Sequence, residues 1–521
     1  MTFKKSKISV FILFILFLFI LKTDFRIINE LRCCQDDYDY YSHALTIAQD
    51  FDFDYSNQVT IKTRFYNQEL EKVAPMGFFG SGLLASPFLF IGVILDQALS
   101  IDQEIFNFKK LFYSFSSIFY LFGTSILLHQ IFKKDDKKFS INLILFGSGI
   151  IYYAFERFSM THVYEVFTVS LVIYFSEKYY NSENSSNKYS ILLPIAILLS
   201  FLVRWTNYYV LLVPFIVCLF KQKQIKKIIN DMYFLISCFC SFILFGLHSK
   251  AIYGYVTFSP IGVYGAKKTS NSVINEITND FVSVVWEFLQ DIIILITTFE
   301  FGLFWFSPII FLGFTLSTVN FLFVKKSNKL LYFLILLSYA QCFFVVSIWN
   351  STASSYGFRY TFSLIPLSIY IVYKIDLPKI QKYSYLYLTT FSILGFLGVV
   401  FFETTTQTQL SLIPVLNSFG VEKIYSQPDY LIGLFKSFFV IESYFKILAT
   451  SFLGTIFIKL FLMIIGYDNF NEIIFNLGYS DNADLINLIT KVNKIEPLIF
   501  VVAMIISFFA IRLLSKTFVK N

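Results

Sequence analysis

Charge is scarce in this sequence. Of 521 residues only 15% are Asp, Glu, Lys or Arg, against 56% hydrophobic residues and a mean hydropathy of +0.64. A soluble domain of this length needs more surface charge to stay dispersed, so that class is excluded. Cysteine is scarce too, with six residues, too few for a disulfide scaffold. Cys218, Cys238, Cys240 and Cys342 fall in apolar runs and read as small hydrophobes. Cys33 and Cys34 are adjacent, a bond between neighbours is strained, and no second pair stands at metal-ligand spacing. There is no fixed-period repeat and no low-complexity linker. Nor is there a basic stripe with interleaved aromatics. The net charge of +7 sits in short lysine clusters between apolar runs, as in the cytoplasmic loops of membrane proteins, which argues against nucleic acid as a partner.

What the sequence has instead is apolar and aromatic bulk, with 67 Phe and 34 Tyr, suited to lipid-facing helices and interfacial belts. Lys4, Lys5 and Lys7 precede an apolar run from Ile8 to Leu21, and Lys22-Thr23-Asp24-Phe25 lacks a small-x-small cleavage pattern, so a retained first helix is expected. A span needs about 20 mostly apolar residues. Candidates are 8–27, 78–97, 110–132, 139–155, 160–177, 189–203, 207–220, 231–249, 287–299, 303–324, 330–349, 360–374, 384–402, 430–465 and 496–514. Lysine clusters at 4–7, 133–138, 221–227, 325–329 and 374–382, with the C-terminal Arg512, Lys516 and Lys520, belong on the cytoplasmic side. All fall there if 78–97 does not cross but lies in the outer interface or re-enters. Gly77, Gly80, Gly82 and Pro87 fit an irregular segment. The same parity makes 287–299 an interfacial piece. The expected fold is an all-α polytopic membrane protein with about 12 transmembrane helices (roughly 11–13), both ends cytoplasmic. External loops would include a long first one at 24–109 and a second long one at 403–495.

Polar residues gather where helices leave the membrane on the outer side. The first loop carries Asp36-Asp37 with Tyr40, Tyr41 and His43 at helical spacing. Asp37, Tyr41, Leu45 and Ala48 share one face, and Asp36, Tyr40 and His43 a neighbouring one. Adjacent carboxylates repel, which raises the proton affinity of one, and a carboxylate at a membrane surface can act as a general base toward a hydroxyl. The bland alternative is an acidic helix start favoured by the helix dipole. Glu156-Arg157 stands at a second boundary, followed by His162 and Glu165, which share a face but lack a third metal ligand. Arg204 and Arg359 are outward arginines in a chain that keeps positive charge inside. Arg204 is an anion ligand or a snorkelling anchor, and Gly357 permits a turn that aims Arg359, with Tyr360 beside it, back at the membrane.

In order and placement these residues resemble the GT-C superfamily of membrane glycosyltransferases, in the bacterial group around protein mannosyltransferases, aminoarabinose transferases and Rgt-type lipopolysaccharide sugar transferases. The resemblance rests on Asp36-Asp37 with Tyr40/Tyr41 and Ala44 opening the first external loop, Pro75-Met76-Gly77 and the apolar run through Pro87, Glu156-Arg157, Gly302-Leu303-Phe304-Trp305-Phe306-Ser307-Pro308, and Tyr356-Gly357-Phe358-Arg359-Tyr360. It covers residues 1–402, expected as a transmembrane catalytic domain with juxtamembrane helices in its first loop. Residues 403–521 are set apart as a C-terminal external or interfacial region plus a last helix. The His-Pro-Pro of the mannosyltransferases is missing, which argues against that branch.

The resemblance implies an inner (plasma) membrane enzyme of cell-envelope glycan assembly. It moves a sugar from a polyprenyl-phosphate donor to a glycan, lipid or protein acceptor on the non-cytoplasmic face. Asp36 or Asp37 is the expected catalytic base of an inverting displacement. Glu156, Arg157, Arg204, Arg359, Tyr40 and Tyr360 are the expected donor-phosphate and substrate ligands. A phosphate leaving group needs cations rather than a general acid. No cofactor is expected. Asp36, Asp37 and Glu156 form an oxygen set that a divalent cation could use, but metal-independent chemistry is preferred. Two alternatives stay open. A polymerase or ligase of O-antigen type fits a long late loop such as 403–495, and a transporter or flippase would show inverted halves, which the sequence lacks.

Overall fold

The fold is described from a computed structural model, over residues 35–58, 66–67, 72–75, 77–99, 107–132, 141–155, 158–181, 187–258, 281–297, 302–323, 329–348, 358–375, 383–395 and a few positions between 464 and 472. The expected segments 8–27, 430–465 and 496–514 lie wholly or mostly outside these residues. The described part is all helical apart from a ladder of two residues per strand, Tyr66–Asn67 against Lys72–Val73. In chain order the helices are α1 (Gln35–Leu45), α2 (Gly80–Leu99), α3 (Phe108–Ile131), α4 (Ile141–Gly147), α5 (Ile150–Phe155), α6 (His162–Asn181) and α7 (Asn187–Val203). They continue with α8 (Val213–Phe220), α9 (Met232–Tyr253), α10 (Phe281–Thr297), α11 (Pro308–Phe323), α12 (Lys329–Ile348), α13 (Ile365–Lys374) and α14 (383–395). Four stretches, Gly80–Leu99, Phe108–Ile131, Met232–Tyr253 and Lys329–Ser347, are long and apolar enough to cross a membrane. That is what a membrane protein requires, and the full count of crossings rests on residues outside the described set.

α6 is the centre of the bundle. Residues on every side of it are buried, from Val163 and Val166 to Tyr179 and Tyr180, and it packs on α3, α7, α8 and α13. Its two ends differ in chemistry. At the Asn181 end Glu177 pairs with Lys221 at 2.7 Å and accepts the Tyr370 hydroxyl at 2.6 Å, while the Lys227 ammonium lies over Tyr179. Lys374 stands over Phe132 and Tyr370 at the same end. At the His162 end, about 30 Å away at 1.5 Å per residue, stand Arg204 and Arg359 around Tyr360. Lys221, Lys227 and Lys374, drawn from two of the expected lysine clusters, thus gather at one end of α6.

Where helices touch, their interfaces are made of small hydroxyl residues. In α3, Ser116 and Ser117 return their hydroxyls to the Tyr113 and Ser114 carbonyls, and Ser117 also reaches the Ala154 carbonyl at 2.7 Å. Such residues let backbones approach while these hydroxyls stay bonded within the protein, as suits helices packed within lipid.

The segment 78–97 departs from expectation. It is one uninterrupted helix, α2, with Pro87 inside it. Proline removes the N–H that would meet the Leu83 carbonyl, and the Ser86 hydroxyl takes that carbonyl instead, at 2.9 Å. The glycines serve close approach rather than irregularity. A Cβ on Gly82 would come within 2.5 Å of His43 Cβ, and one on Gly92 within 2.6 Å of the Phe108 carbonyl. α2 runs antiparallel to the first half of α3. The Tyr120 hydroxyl donates to the Leu84 carbonyl at 2.9 Å, and Asp96 accepts the Phe108 and Lys109 amides at 3.0 and 3.3 Å, capping α3. The segment 139–155 is also not a single helix. It breaks into α4 and α5 at Gly149, which has φ +84°. The segments 207–220 and 360–374 open with 3₁₀ turns, Tyr208–Leu212 and Arg359–Leu364, ahead of Pro214 and Pro366.

These contacts set a paired test. Gly82→Val drives a side chain into α1 and should destabilise the protein by about 1–3 kcal/mol. Gly246→Ala, where a Cβ meets only Val256 at 3.8 Å, should be neutral or gain up to ~1 kcal/mol from helix propensity. Equilibrium unfolding in mixed micelles distinguishes the two.

Candidate functional site

The site end of the bundle is assembled from α1, the segment 158–161, the start of α6, the Arg204 corner after α7, and the 3₁₀ turn that begins at Arg359. α1 shows the expected faces. Asp37 is 0% exposed while its neighbour Tyr38 is 52% exposed. Tyr41, one turn on from Asp37, meets Tyr113 of α3 edge to face at 5.0 Å. The Asp37 carboxylate accepts a hydrogen bond from the Ser159 hydroxyl, and the Ser159 carbonyl lies 3.4 Å from the Tyr113 hydroxyl. Asp37, Ser159 and Tyr113 thus form one buried polar group, drawn from residues up to 122 positions apart.

α1 is held over the site by His43. Its Nε2 lies 3.2 Å from the Gly77 carbonyl and its Nδ1 2.8 Å from the Tyr55 hydroxyl. A carbonyl only accepts, so Nε2 carries the hydrogen toward Gly77, and Nδ1 pairs with the Tyr55 hydroxyl. The same Gly77 carbonyl accepts the Tyr253 hydroxyl at the end of α9. Gly77 has φ +74°, and a Cβ there would meet the Tyr40 ring at 3.0 Å, so glycine is required on both counts. Tyr40 is thereby set beside Gly77, within electrostatic reach of Tyr113 on one side and Arg204 on the other.

The second half of the site is an ion-pair cluster. Thr161 precedes α6, and its hydroxyl donates to Glu165 Oε1 at 2.8 Å. Arg204 Nη1 reaches the same oxygen at 2.8 Å and Thr161 Oγ1 at 3.2 Å. Glu165 is fully buried and Arg204 is 15% exposed. His162 Nδ1 stands 3.4 Å from Glu165 Oε1. The guanidinium of Arg204 lies over the Tyr360 ring, 4.1 Å from its centroid, and that of Arg359 is 5.2 Å from the same centroid. Two cations therefore share one aromatic ring. Arg204 does not snorkel outward. It turns into the protein, where Glu165 balances its charge.

Of the residues expected from sequence, Asp37, Tyr40, Arg204, Arg359 and Tyr360 come together at this end. The Asp36 side chain, Glu156 and Arg157 lie outside the described residues, as does the loop 349–357. Ser159, Thr161, Tyr113 and Glu165 were missing from the expected set. Glu165 carried a signal, an acid one turn after His162 in an apolar run, but no third metal ligand accompanied it. Tyr113 carried none. Among the described residues no group of three or more His, Cys, Asp or Glu side chains is placed to hold a metal ion. Comparison with protein-family models, curated proteins and solved structures returns no match.

The buried pair gives a sharp stability test. Glu165→Ala leaves the Arg204 charge uncompensated and should cost about 3–5 kcal/mol, whereas replacing both by Met should cost far less. Denaturation of the two variants in mixed micelles measures the difference. Equal losses would mean that the pair carries no special coupling.

Proposed function

We propose that this protein is an integral membrane glycosyltransferase. It takes a sugar from a polyprenyl-phosphate donor and transfers it to a hydroxyl of a glycan, lipid or protein acceptor. The reading puts the site end of the bundle on the non-cytoplasmic face of a bacterial inner membrane, opposite the lysine end. The observation that carries it is that one end of the bundle holds both Asp37, bound by Ser159 two residues before Thr161, and Arg204, which touches Thr161 and shares the ring of Tyr360 with Arg359. That pairs a candidate base with cations suited to a phosphate, as the ordered sequence motifs imply.

In this mechanism the acceptor oxygen gives its proton to Asp37 or Asp36 and forms a bond to the anomeric carbon. The bond from that carbon to the phosphate oxygen breaks on the opposite face, and polyprenyl phosphate leaves with the electron pair. The carbon inverts. Arg359 and Arg204 meet the charge that develops on the leaving oxygen. Glu165 already offsets part of the Arg204 charge. Ser159 orients Asp37 through its hydroxyl. Asp37 is buried, so an acceptor reaches it only when α1 parts from the 158–161 segment or when the substrate itself replaces the Ser159 contact.

The test is transfer of radiolabel from a panel of polyprenyl-phosphate sugars in membranes containing the wild type, Asp36→Asn, Asp37→Asn and the double variant. Loss of the base should lower the rate on the order of 10²–10⁴-fold. Full activity in both single variants removes the base assignment. No transfer from any donor by inserted, folded protein removes the glycosyltransferase reading and directs attention to polymerisation and transport.

A further inference from the structure

α2 is inside out by the standard of a water-soluble helix. On its buried side small and polar residues predominate, with Gly82, Ala85, Ser86, Gly92 and Asp96 beside Leu89 and Val93. The side turned away from the bundle carries Leu83, Pro87, Phe90, Ile91 and Ile94, spaced as one helical stripe and all exposed. A helix facing water places its large apolar residues inward, while one facing lipid can carry them outward and pack through small residues.

The loop after α1 extends the same surface. α1 passes into a π-helical turn, Thr46–Asp50, which ends at Phe51 in the left-handed conformation, φ +60° and ψ +32°. Glycine usually fills such a position, and an aromatic residue there is strained. Phe51 is nonetheless 74% exposed, and its ring meets Phe90 edge to face at 5.9 Å. Phe53 packs on Phe79 at 5.6 Å. The intervening carboxylates turn back into their own loop. Asp50 accepts from Asn57 and Gln58, Asp52 accepts the Thr46 hydroxyl at 2.7 Å, and Asp54 accepts the Ser56 amide at 3.0 Å.

We propose that the Phe51 tip and the outer stripe of α2 form one lipid-immersed surface at the bilayer boundary beside the site. Phe51, Phe90, Ile91 and Ile94 lie among the acyl chains, and Asp50, Asp52 and Asp54 stand at headgroup level. Lipid fits this surface better than a protein partner does. The stripe is continuous and apolar, it offers no charge or hydrogen-bonding group for a partner to read, and it belongs to a helix apolar enough for a bilayer. The first loop would then be a membrane-seated platform that holds α1 and its Asp37 at the lipid boundary. The inference does not depend on the glycosyl-transfer reading.

Full-length Phe51→Trp and Ile94→Trp variants in phospholipid nanodiscs test it, with the wild type and its four tryptophans as the reference. Lipids brominated on their acyl chains should quench the added emission, and aqueous iodide should leave it largely intact. Quenching by iodide instead would put the surface in water. Shielding from both quenchers would put it under a protein, a second copy included. Either result overturns the proposal. A second measurement uses a sign. Phe51→Gly relieves the left-handed strain, so it raises Tm in nanodiscs if the ring stands in water and lowers it if the ring is immersed. An unchanged or raised Tm overturns the proposal.

Discussion

The contact between Glu165 and Arg204 is the constraint on which the site end of the molecule depends. A carboxylate with no exposed surface and a guanidinium that is mostly covered cannot be left apart without a large desolvation penalty. The pair therefore fixes the start of α6 against the corner after α7. Tyr360 lies under the same guanidinium, so the 3₁₀ turn from Arg359 is drawn to that corner as well. Thr161 shares both partners and brings the 158–161 segment with it, and Ser159 two residues earlier meets Asp37. One ion pair thus sets the positions of three chain segments, and a fourth, α1, docks on the result.

Elsewhere the bundle is held by contacts of low charge. Hydroxyls on α3 return to carbonyls of their own helix, glycines let α2 lie close against α1 and α3, and Asp96 at the end of α2 caps the start of α3. This division is what a low-dielectric surrounding favours. The ion pairs of Glu165 and Glu177 lie at the two ends of α6, while the long interfaces rely on small residues and hydrogen-bonded groups.

Much of this was legible in the sequence, for identifiable reasons. Apolar runs of helical length gave the helices, because length and hydropathy alone decide them. The face of α1 that carries Asp37 and Tyr41 followed from helical spacing, and both residues turn to Tyr113. Arg204 was recognised as unusual because it breaks the charge pattern, but its partner was not, since Glu165 lies 39 residues away and only packing joins them. Glycine and proline in α2 read, in the sequence, as signs of irregularity. They misled because Ser86 replaces the bond that Pro87 removes and because close packing also selects glycine. The break at Gly149 was missed for the converse reason, as the apolar run of 139–155 continues through a left-handed residue. The candidate residues Asp36, Glu156 and Arg157 fall where the described side chains stop.

The Gly77 carbonyl has two lone pairs, and both are engaged, one by His43 of the first loop and one by Tyr253 at the end of α9. α9 shows much of its length to the surroundings, with Phe239, Phe242 and Leu247 all more than half exposed. A single backbone oxygen therefore joins α9 to the first loop, whose helix α1 carries Asp37. Any change that moves the Gly77 carbonyl disturbs both contacts at once, one on the α1 side and one on the α9 side.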